Sequence, residues 1–117
     1  MEVFVFGSNL AGRHGKGAAL FAKQKHGAIR GIGEGIQGRS YGIPTKDHLL
    51  RSRTLPEIRK SVIRFLIFAY DNPHMIFNVA RVGCGLAGYV PSEIAPMFTD
   101  APDNVILNPD FLRVLYP

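Results

Sequence analysis

Polar and basic side chains lie within the first glycine-rich stretch of the chain. An apolar segment, Val3–Phe6, leads into Gly7–Gly17, which contains four glycines together with Asn9, Arg13, His14 and Lys16. Backbone N–H groups at the start of a helix have no partners and lie at the positive end of the helix dipole. Glycine also lets a backbone approach a phosphate closely. The pattern predicts a strand, an anion-binding loop and a helix, although a tight turn without a ligand has the same outline.

This first loop does not contain either of two common nucleotide motifs. A P-loop needs glycine at the position of Leu10 and serine or threonine at the position of Gly17. The stretch also lacks the G-x-G-x-x-G spacing of dinucleotide-binding folds. We therefore expect a different kind of anion site.

A second glycine-rich loop, Gly83–Tyr89, follows another apolar segment, Met75–Val82. Its glycines do have the G-x-G-x-x-G spacing. That fingerprint normally opens the first βαβ unit of a fold, whereas this loop comes late in the chain and Pro96 interrupts the helix after it. The context argues against a Rossmann site.

Both loops resemble the ligand loops of macrodomains. Asn9 followed by His14 and Gly15–Ala19 is similar to the Asn…His-Gly-Gly-Gly-Val-Ala signature of that family. Gly83–Leu86 is similar to the G-C-G-L run of the macrodomains that release ADP-ribose from acidic side chains and modified DNA bases. Pro44–Lys46 resembles the strand end, Ile-Thr-Lys, that precedes their long helix. The resemblance is to a minimal form of the terminal ADP-ribose hydrolase type.

The resemblance implies a three-layer α/β/α domain with a mostly parallel sheet, in which residues 1–117 form a single domain. It implies binding of ADP-ribose, or of a related NAD-derived ADP-ribosyl compound, with the two loops holding the diphosphate from opposite sides. The partner would be ADP-ribose or an ADP-ribosylated protein or nucleic acid, and neither a cofactor nor a metal is expected. Phe21 and Tyr89 are the candidates for an adenine wall. The predicted ligand-binding residues are Gly7, Ser8, Asn9, His14, Gly15, Lys16, Gly17, Ala18, Thr45, Gly83, Cys84, Gly85, Leu86, Ala87, Gly88 and Tyr89.

Hydrolysis of an ADP-ribosyl conjugate is an open alternative to binding alone. In the hydrolases that the chain resembles, a lysine attacks the anomeric carbon to form a Schiff-base-type adduct, and Lys46 matches that lysine. Ala87 stands where those enzymes have an acid–base aspartate. Asp47 or Glu34 could replace it, and Asp47 could equally pair with Lys46 and keep it protonated. His14 could polarise a ribose hydroxyl or bond to loop backbone, and Cys84 could be a nucleophile or a packed small residue. The predicted catalytic residues are Lys46, Asp47 and His14.

The rest of the chain alternates predicted strands and helices, which is typical of a mostly parallel sheet with helices on both faces. Thr54 and Glu57 form a predicted capping box, and Pro96 is expected to shorten or kink its helix. The predicted strands after Val3–Phe6 are Arg39–Pro44, Met75–Val82 and Asn104–Leu107, and the predicted helices are Ala18–His26, Leu55–Tyr70 and one from Pro91. Gly31–Gly38 is expected to be an irregular loop or a turn between short extended pieces, and Asn108–Pro117 fits a short helix or an edge strand.

Composition and charge restrict the class of protein. The chain has 117 residues, 46% hydrophobic and 20% charged, which is typical of one globular domain. Its net charge of +5 favours an anionic partner. No apolar run is long enough to span a membrane, and Met1–Phe6 is too short and acidic for a signal peptide. With Cys84 as its single cysteine, the chain has no internal disulfide, and we expect a cytoplasmic protein.

Two other functions fit the same sequence. A small nucleic-acid-binding domain would use the basic residues Arg51, Arg53, Arg59, Lys60 and Arg64, although no helix-turn-helix, RNP or zinc signature is present. A sequestering protein for NAD-derived nucleotides would bind in the same pocket without turnover. The sequence does not indicate an oligomeric state.

Overall fold

The computed structural model describes every residue from Met1 to Pro117 and shows an α/β domain with one mixed sheet of five strands. The strands are β1 (Glu2–Asn9), β2 (Gly35–Gln37), β3 (Ser40–Lys46), β4 (Ile76–Val79) and β5 (Val105–Leu107). The α-helices are α1 (Gly17–Lys25), α2 (Leu55–Asp71), α3 (Pro91–Ile94) and α4 (Pro109–Leu115), and a 3₁₀ helix, Ala95–Phe98, follows α3. None of these helices has the length and apolar character that crossing a membrane requires.

The first strand lies at the centre of the sheet, whose order is β2-β3-β1-β4-β5. β1 is parallel to both β3 and β4, and β5 is parallel to β4. Only β2 is antiparallel. It lies within Gly31–Gly38, the segment predicted as an irregular loop or a turn between short extended pieces, and it forms a hairpin with β3. The chain therefore leaves β1 towards β3 on one side and later reaches β4 on the other. Open α/β sheets bind ligands at such a switch point, outside the carboxyl ends of the strands.

β1 and β3 are both longer than predicted, because they pair with each other beyond the expected strand ends. Gly7 pairs with Ile43 and Ser8 with Pro44, and after a shift of register Asn9 pairs with Lys46. Pro44 does not end β3 as expected. A proline has no N–H to donate, but β2 pairs with β3 only as far as Gly42, so β1 is the only strand beside β3 at Pro44.

Side chains of β1 alternate between two buried clusters, as the period of two in a strand requires. Val3 and Val5 have no exposed surface and belong to a large cluster with residues of α2, including Phe65. Phe6 is equally buried but packs in a smaller cluster with alanines of α1. The two clusters hold β1 firmly, and with it the start of the loop that leaves its carboxyl end.

Local signals set the ends of the helices. Thr54 Oγ1 accepts a hydrogen bond from the backbone N–H of Glu57 at 3.3 Å, and the Glu57 carboxylate accepts one from the Thr54 N–H at 2.9 Å. The predicted capping box is therefore confirmed. The predicted shortening of the third helix is also confirmed, because α3 ends at Ile94 and a 3₁₀ helix that contains Pro96 follows it. The tail is helical, with Asn108 Oδ1 accepting from the N–H of Phe111 at its N-terminus.

Candidate ligand-binding site

The carboxyl ends of β1 and β3 and the two glycine-rich loops surround a cavity of about 680 Å³. Small-molecule sites commonly have volumes of about 300–1,000 Å³. The predicted site residues that line it are Gly7, Ser8, Asn9, Gly15, Lys16, Gly17, Ala18, Thr45, Lys46, Gly83, Gly85, Leu86 and Ala87. The structure adds Arg13, Ala19, Leu50 and Arg81, and it leaves His14, Asp47, Cys84, Gly88 and Tyr89 outside the lining.

The floor of the cavity is formed where three chain segments meet at close range. A Cβ atom on Gly7 would lie 3.3 Å from the backbone nitrogen of Gly83 and 3.6 Å from Thr45 Oγ1. The buried Thr45 hydroxyl donates to the carbonyl of Ser8 at 3.4 Å. Gly83 has a φ of +78°, which favours glycine. A larger residue at Gly7 would press on the backbone of the second loop, and one at Gly83 would crowd the Ile94 side chain at 3.0 Å, so the floor depends on both glycines.

The first turn of α1 presents backbone N–H groups to this cavity. Lys16 is the N-cap residue, and its side chain makes no capping hydrogen bond. The first intrahelical bond in this region is donated by Leu20, so the N–H groups of Gly17, Ala18 and Ala19 have no helical partner. These three residues line the cavity. The N-terminal end of α1 therefore places backbone donors without helical partners at the cavity.

Asn9 closes the first loop while lining the cavity. Its Nδ2 donates to the carbonyl of Arg13 at 2.8 Å, and its Oδ1 accepts from the N–H of Arg13 at 2.9 Å. This turn keeps Arg13 at the cavity wall. An amide carries two donor hydrogens and an oxygen with two lone pairs, so Asn9 retains one donor and one acceptor for a ligand.

The His14 ring turns away from the cavity and packs below the loop. Its Nε2 lies 3.0 Å from the carbonyl oxygen of Ile29, 3.1 Å from that of Ile32 and 3.2 Å from Gln37 Oε1. Because all three neighbours are acceptors, the ring proton belongs on Nε2. Of the two roles considered for His14, the structure shows the hydrogen bonds to loop backbone. The ring does not line the cavity, so it is not placed to contact a ribose there.

Four cationic side chains line the cavity, and no aspartate or glutamate does. They are Arg13, Lys16, Lys46 and Arg81. Arg81 is held at the edge by an ion pair of 2.8 Å with Asp110, whereas the other three take part in no ion pair. Positive charges in a concave site with exposed N–H groups attract polyanions.

Arg81 was not predicted, because Met75–Val82 reads as one continuous buried strand. β4 in fact ends at Val79. Arg81 then lies in the connection to the second loop, with an exposed side chain. The only sequence signal for its position at the cavity is that it is a single charged residue near the end of an apolar run.

Asp47 does not pair with Lys46. Its Oδ1 accepts from the N–H groups of Leu49 and Arg51 at 2.9 Å each, and its Oδ2 accepts from Arg51 Nε at 3.1 Å. The backbone N–H of Arg51 is the main cause that holds the pKa of Asp47 below its usual value. Glu34, the other acid considered for this role, is bonded to Arg64 at 2.5 Å. Neither carboxylate lines the cavity, so the site has no acid–base carboxyl group of its own.

The second loop is hydrogen-bonded to the segment between β3 and α2. Ser52 donates to the carbonyl of Ala87 at 2.7 Å, and the Tyr89 hydroxyl donates to the carbonyl of Arg53. Tyr89 therefore stabilises the second loop through this hydrogen bond and does not line the cavity. Burial raises the pKa of the Cys84 thiol, which disfavours the thiolate that a nucleophile would need.

Neither aromatic candidate for an adenine wall lies at the cavity. Phe21 packs edge-on against Phe4, at the other end of β1 from the loop. The only large apolar side chains in the lining are Leu50 and Leu86. Leu50 has a φ of +63° and is the only residue other than glycine with a positive φ. Leucine is disfavoured there, so its side chain is held at the cavity mouth against the local backbone preference.

Most of the basic residues considered for nucleic-acid binding are engaged within the chain. Arg51 pairs with Asp47, and Arg64 pairs with Glu34. Arg53 donates to the Pro44 carbonyl and to Ser61. Arg59 and Lys60 remain exposed and outside any ion pair.

Comparisons with protein-family models, with curated proteins and with solved structures found no significant match to this chain.

Proposed function

We propose that this protein is a minimal macrodomain that binds ADP-ribose, or a related NAD-derived nucleotide with a diphosphate, in the cavity between its two glycine-rich loops. The observation that carries the proposal is the lining of that cavity, which combines glycine backbone and four cations without a single carboxylate. The α/β/α layering of the family is part of the proposal. It is supported by the separate clusters that α1 and α2 form with β1.

The diphosphate would lie between the start of α1 and the loop from Gly83. Unpaired N–H groups at the start of α1 face one side of that position, and Gly85 lines the other side. Lys16 and Arg81 would neutralise the charge without a metal ion. A diphosphate needs several donors converging on adjacent oxygens, and this combination supplies them.

The two ends of the ligand would meet different surfaces. Asn9 retains a donor and an acceptor at the carboxyl end of β1, which suits the hydroxyls of a ribose. Leu50 and Leu86 would cover the flat faces of the base, because no other large apolar side chain lines the cavity. We therefore assign the base to the Leu50 and Leu86 side.

Binding without efficient turnover fits this lining better than hydrolysis. Lys46 supplies a candidate nucleophile, but no carboxyl group lies at the cavity to move a proton. General acid–base help is worth about 10²–10⁴-fold in rate. The proposed role is thus to hold or sequester the nucleotide, with any hydrolysis slow.

Calorimetry with ADP-ribose, ADP and NAD tests the proposal, and Gly85→Glu is the decisive variant. A Cβ on Gly85 would meet no atom within 4 Å and its φ is not positive, so the fold should be retained. We expect the added carboxylate to weaken ADP-ribose binding by about a hundredfold or more, because it places a like charge beside the diphosphate.

Gly85→Gln is the matched control, since it adds the same bulk without the charge and should lose much less affinity. Thermal melts of both variants should stay close to that of the unmodified protein. A folded Gly85→Glu variant that binds ADP-ribose with unchanged affinity would refute this site.

A further inference from the structure

The outward face of α2 carries an apolar stripe that no other part of the chain covers. Ile63, Ile67 and Tyr70 are 48%, 57% and 75% exposed. At one residue per 100° they fall within about 60° of the helix circumference, on the side away from the buried residues of α2. A surface helix usually presents polar side chains there, and a helix with apolar residues on two sides is typical of one that is covered on both.

Opposite charges border one side of this stripe. Lys60 and Asp71 lie at nearly the same angle around the helix, beside Ile67, and are about 16 Å apart along its axis. Both side chains are exposed, and neither belongs to an ion pair within the chain. Arg59 borders the other side, and Arg64 is already paired with Glu34.

We propose that the stripe is the contact of a homodimer, in which α2 packs antiparallel against α2 of a second copy around a two-fold axis. The midpoint between Ile63 and Ile67 is level with residue 65. The midpoint between Lys60 and Asp71 lies within about half a residue of the same level. One two-fold axis near residue 65 therefore sets Ile63 against Ile67 of the partner subunit and Lys60 against Asp71 of the partner subunit, each contact occurring twice.

Charge selects this arrangement over the alternatives. In a parallel pair of α2 helices Lys60 would lie about 16 Å along the axis from Asp71 of the partner subunit, so no unlike charges would meet, whereas the antiparallel pair joins them. A surface that is complementary to itself about one axis is what a two-fold contact requires. No residue of α2 lines the ligand cavity, so the dimer would leave both cavities open.

Sedimentation velocity of the complete chain, from micromolar to submillimolar concentration at low salt, tests the dimer. We expect concentration-dependent dimerisation of the unmodified protein and a monomer at every concentration for Ile67→Glu. Because Ile67 is exposed, circular dichroism should report an unchanged fold. Ile106→Glu on β5 is the control, since Ile106 is a comparably exposed isoleucine away from the stripe, and it should still dimerise. A monomeric unmodified protein, or a dimer that survives Ile67→Glu, overturns the proposal.

A charge exchange tests the antiparallel register. Lys60→Glu should weaken dimerisation by about tenfold, because it sets two carboxylates together at both ends of the contact. Adding Asp71→Lys to that variant restores unlike charges at both ends and should recover the original affinity. A double variant that remains as weak as Lys60→Glu alone overturns the proposed pairing.

Discussion

Lys46 is the residue that we propose as the nucleophile for any reaction beyond binding. It lines the cavity and belongs to no ion pair. We expect Lys46→Ala to remove any release of ADP-ribose from modified glutamate or DNA, and borohydride to trap an adduct at Lys46 of the unmodified protein. Lys46→Arg keeps the charge without the nucleophile, and so separates loss of binding from loss of reaction. Turnover that persists in Lys46→Ala would assign the reaction to water or to another nucleophile.

A related prediction concerns Ala87, which stands where the hydrolases that the chain resembles have an acid–base aspartate. Ala87 lines the cavity, and only its backbone carbonyl is used by Ser52. Ala87→Asp should therefore raise a slow hydrolysis without breaking that bond, while Ala87→Asn, which cannot transfer the proton, should not. Equal rates for the two variants would argue against acid–base help at this position.

Leu50 gives a second prediction at the residue scale. Leu50→Gly removes the apolar side chain and relieves a backbone conformation that suits glycine. The variant should unfold at the same or a higher temperature, yet bind ADP about three- to tenfold more weakly because it loses apolar contact with the base. Inorganic pyrophosphate, which has no base, should bind the variant and the unmodified protein equally.

Leu49→Gly is the matched control for this change. Leu49 is the adjacent residue, is 70% exposed and does not line the cavity. It should leave the affinity for ADP unchanged. An equal loss in both variants would mean that loop stiffness, and not contact with Leu50, explains the effect.

At the scale of elements, the capping box fixes the point at which α2 begins. Thr54 is the N-cap residue of α2, and the N–H of Arg53, the residue before it, bonds to the Thr45 carbonyl of β3. Thr54→Ala should lower the free energy of unfolding by about 1 kcal/mol because the N–H of residue 57 loses its acceptor. Thr54→Ser keeps the hydroxyl and should restore most of the loss in urea titrations.

The capping box also predicts a dependence on pH. Hydrogen bonds from the backbone and side chain of Thr54 lower the pKa of Glu57 in the folded protein. A carboxylate with a lowered pKa contributes stability above its unfolded pKa, and this contribution disappears as the pH falls through its folded pKa. The unmodified protein should therefore be more stable than Glu57→Gln at neutral pH, and the difference should shrink below about pH 4. A constant difference across that range would contradict this account.

At the scale of the whole molecule, the distribution of charge separates a nucleotide binder from a nucleic-acid binder. The chain carries a net charge of +5, and four of its cations line one cavity. We expect ADP-ribose affinity to fall less than about tenfold between about 50 and about 200 mM salt, because few charges meet the ligand. Random duplex DNA should bind weakly in the same buffers. Tight DNA binding with a steep dependence on salt would favour the nucleic-acid alternative.

Features that depend on a few neighbouring residues are predictable from the amino-acid sequence. Thr54 and Glu57 are close enough in the chain to predict their own capping box, and Pro96 removes a helical donor wherever it stands. Glycines followed by an alanine-rich helix predicted the first loop at the start of α1. These signals are local, so they do not depend on which strands later pair.

Which side chains reach the cavity depends on contacts between distant parts of the chain. Pairing of β1 with β3 joins residues more than thirty positions apart, and it carries Asn9 and Lys46 to one edge of the sheet. In the folded chain the His14 ring bonds to the carbonyl of Ile29, and the Asp47 carboxylate accepts from the N–H of Arg51 in the turn after β3. The direction and the hydrogen-bond partners of such a side chain are set by backbone from distant parts of the chain. A pattern of neighbouring residues does not show which distant segments will lie beside it.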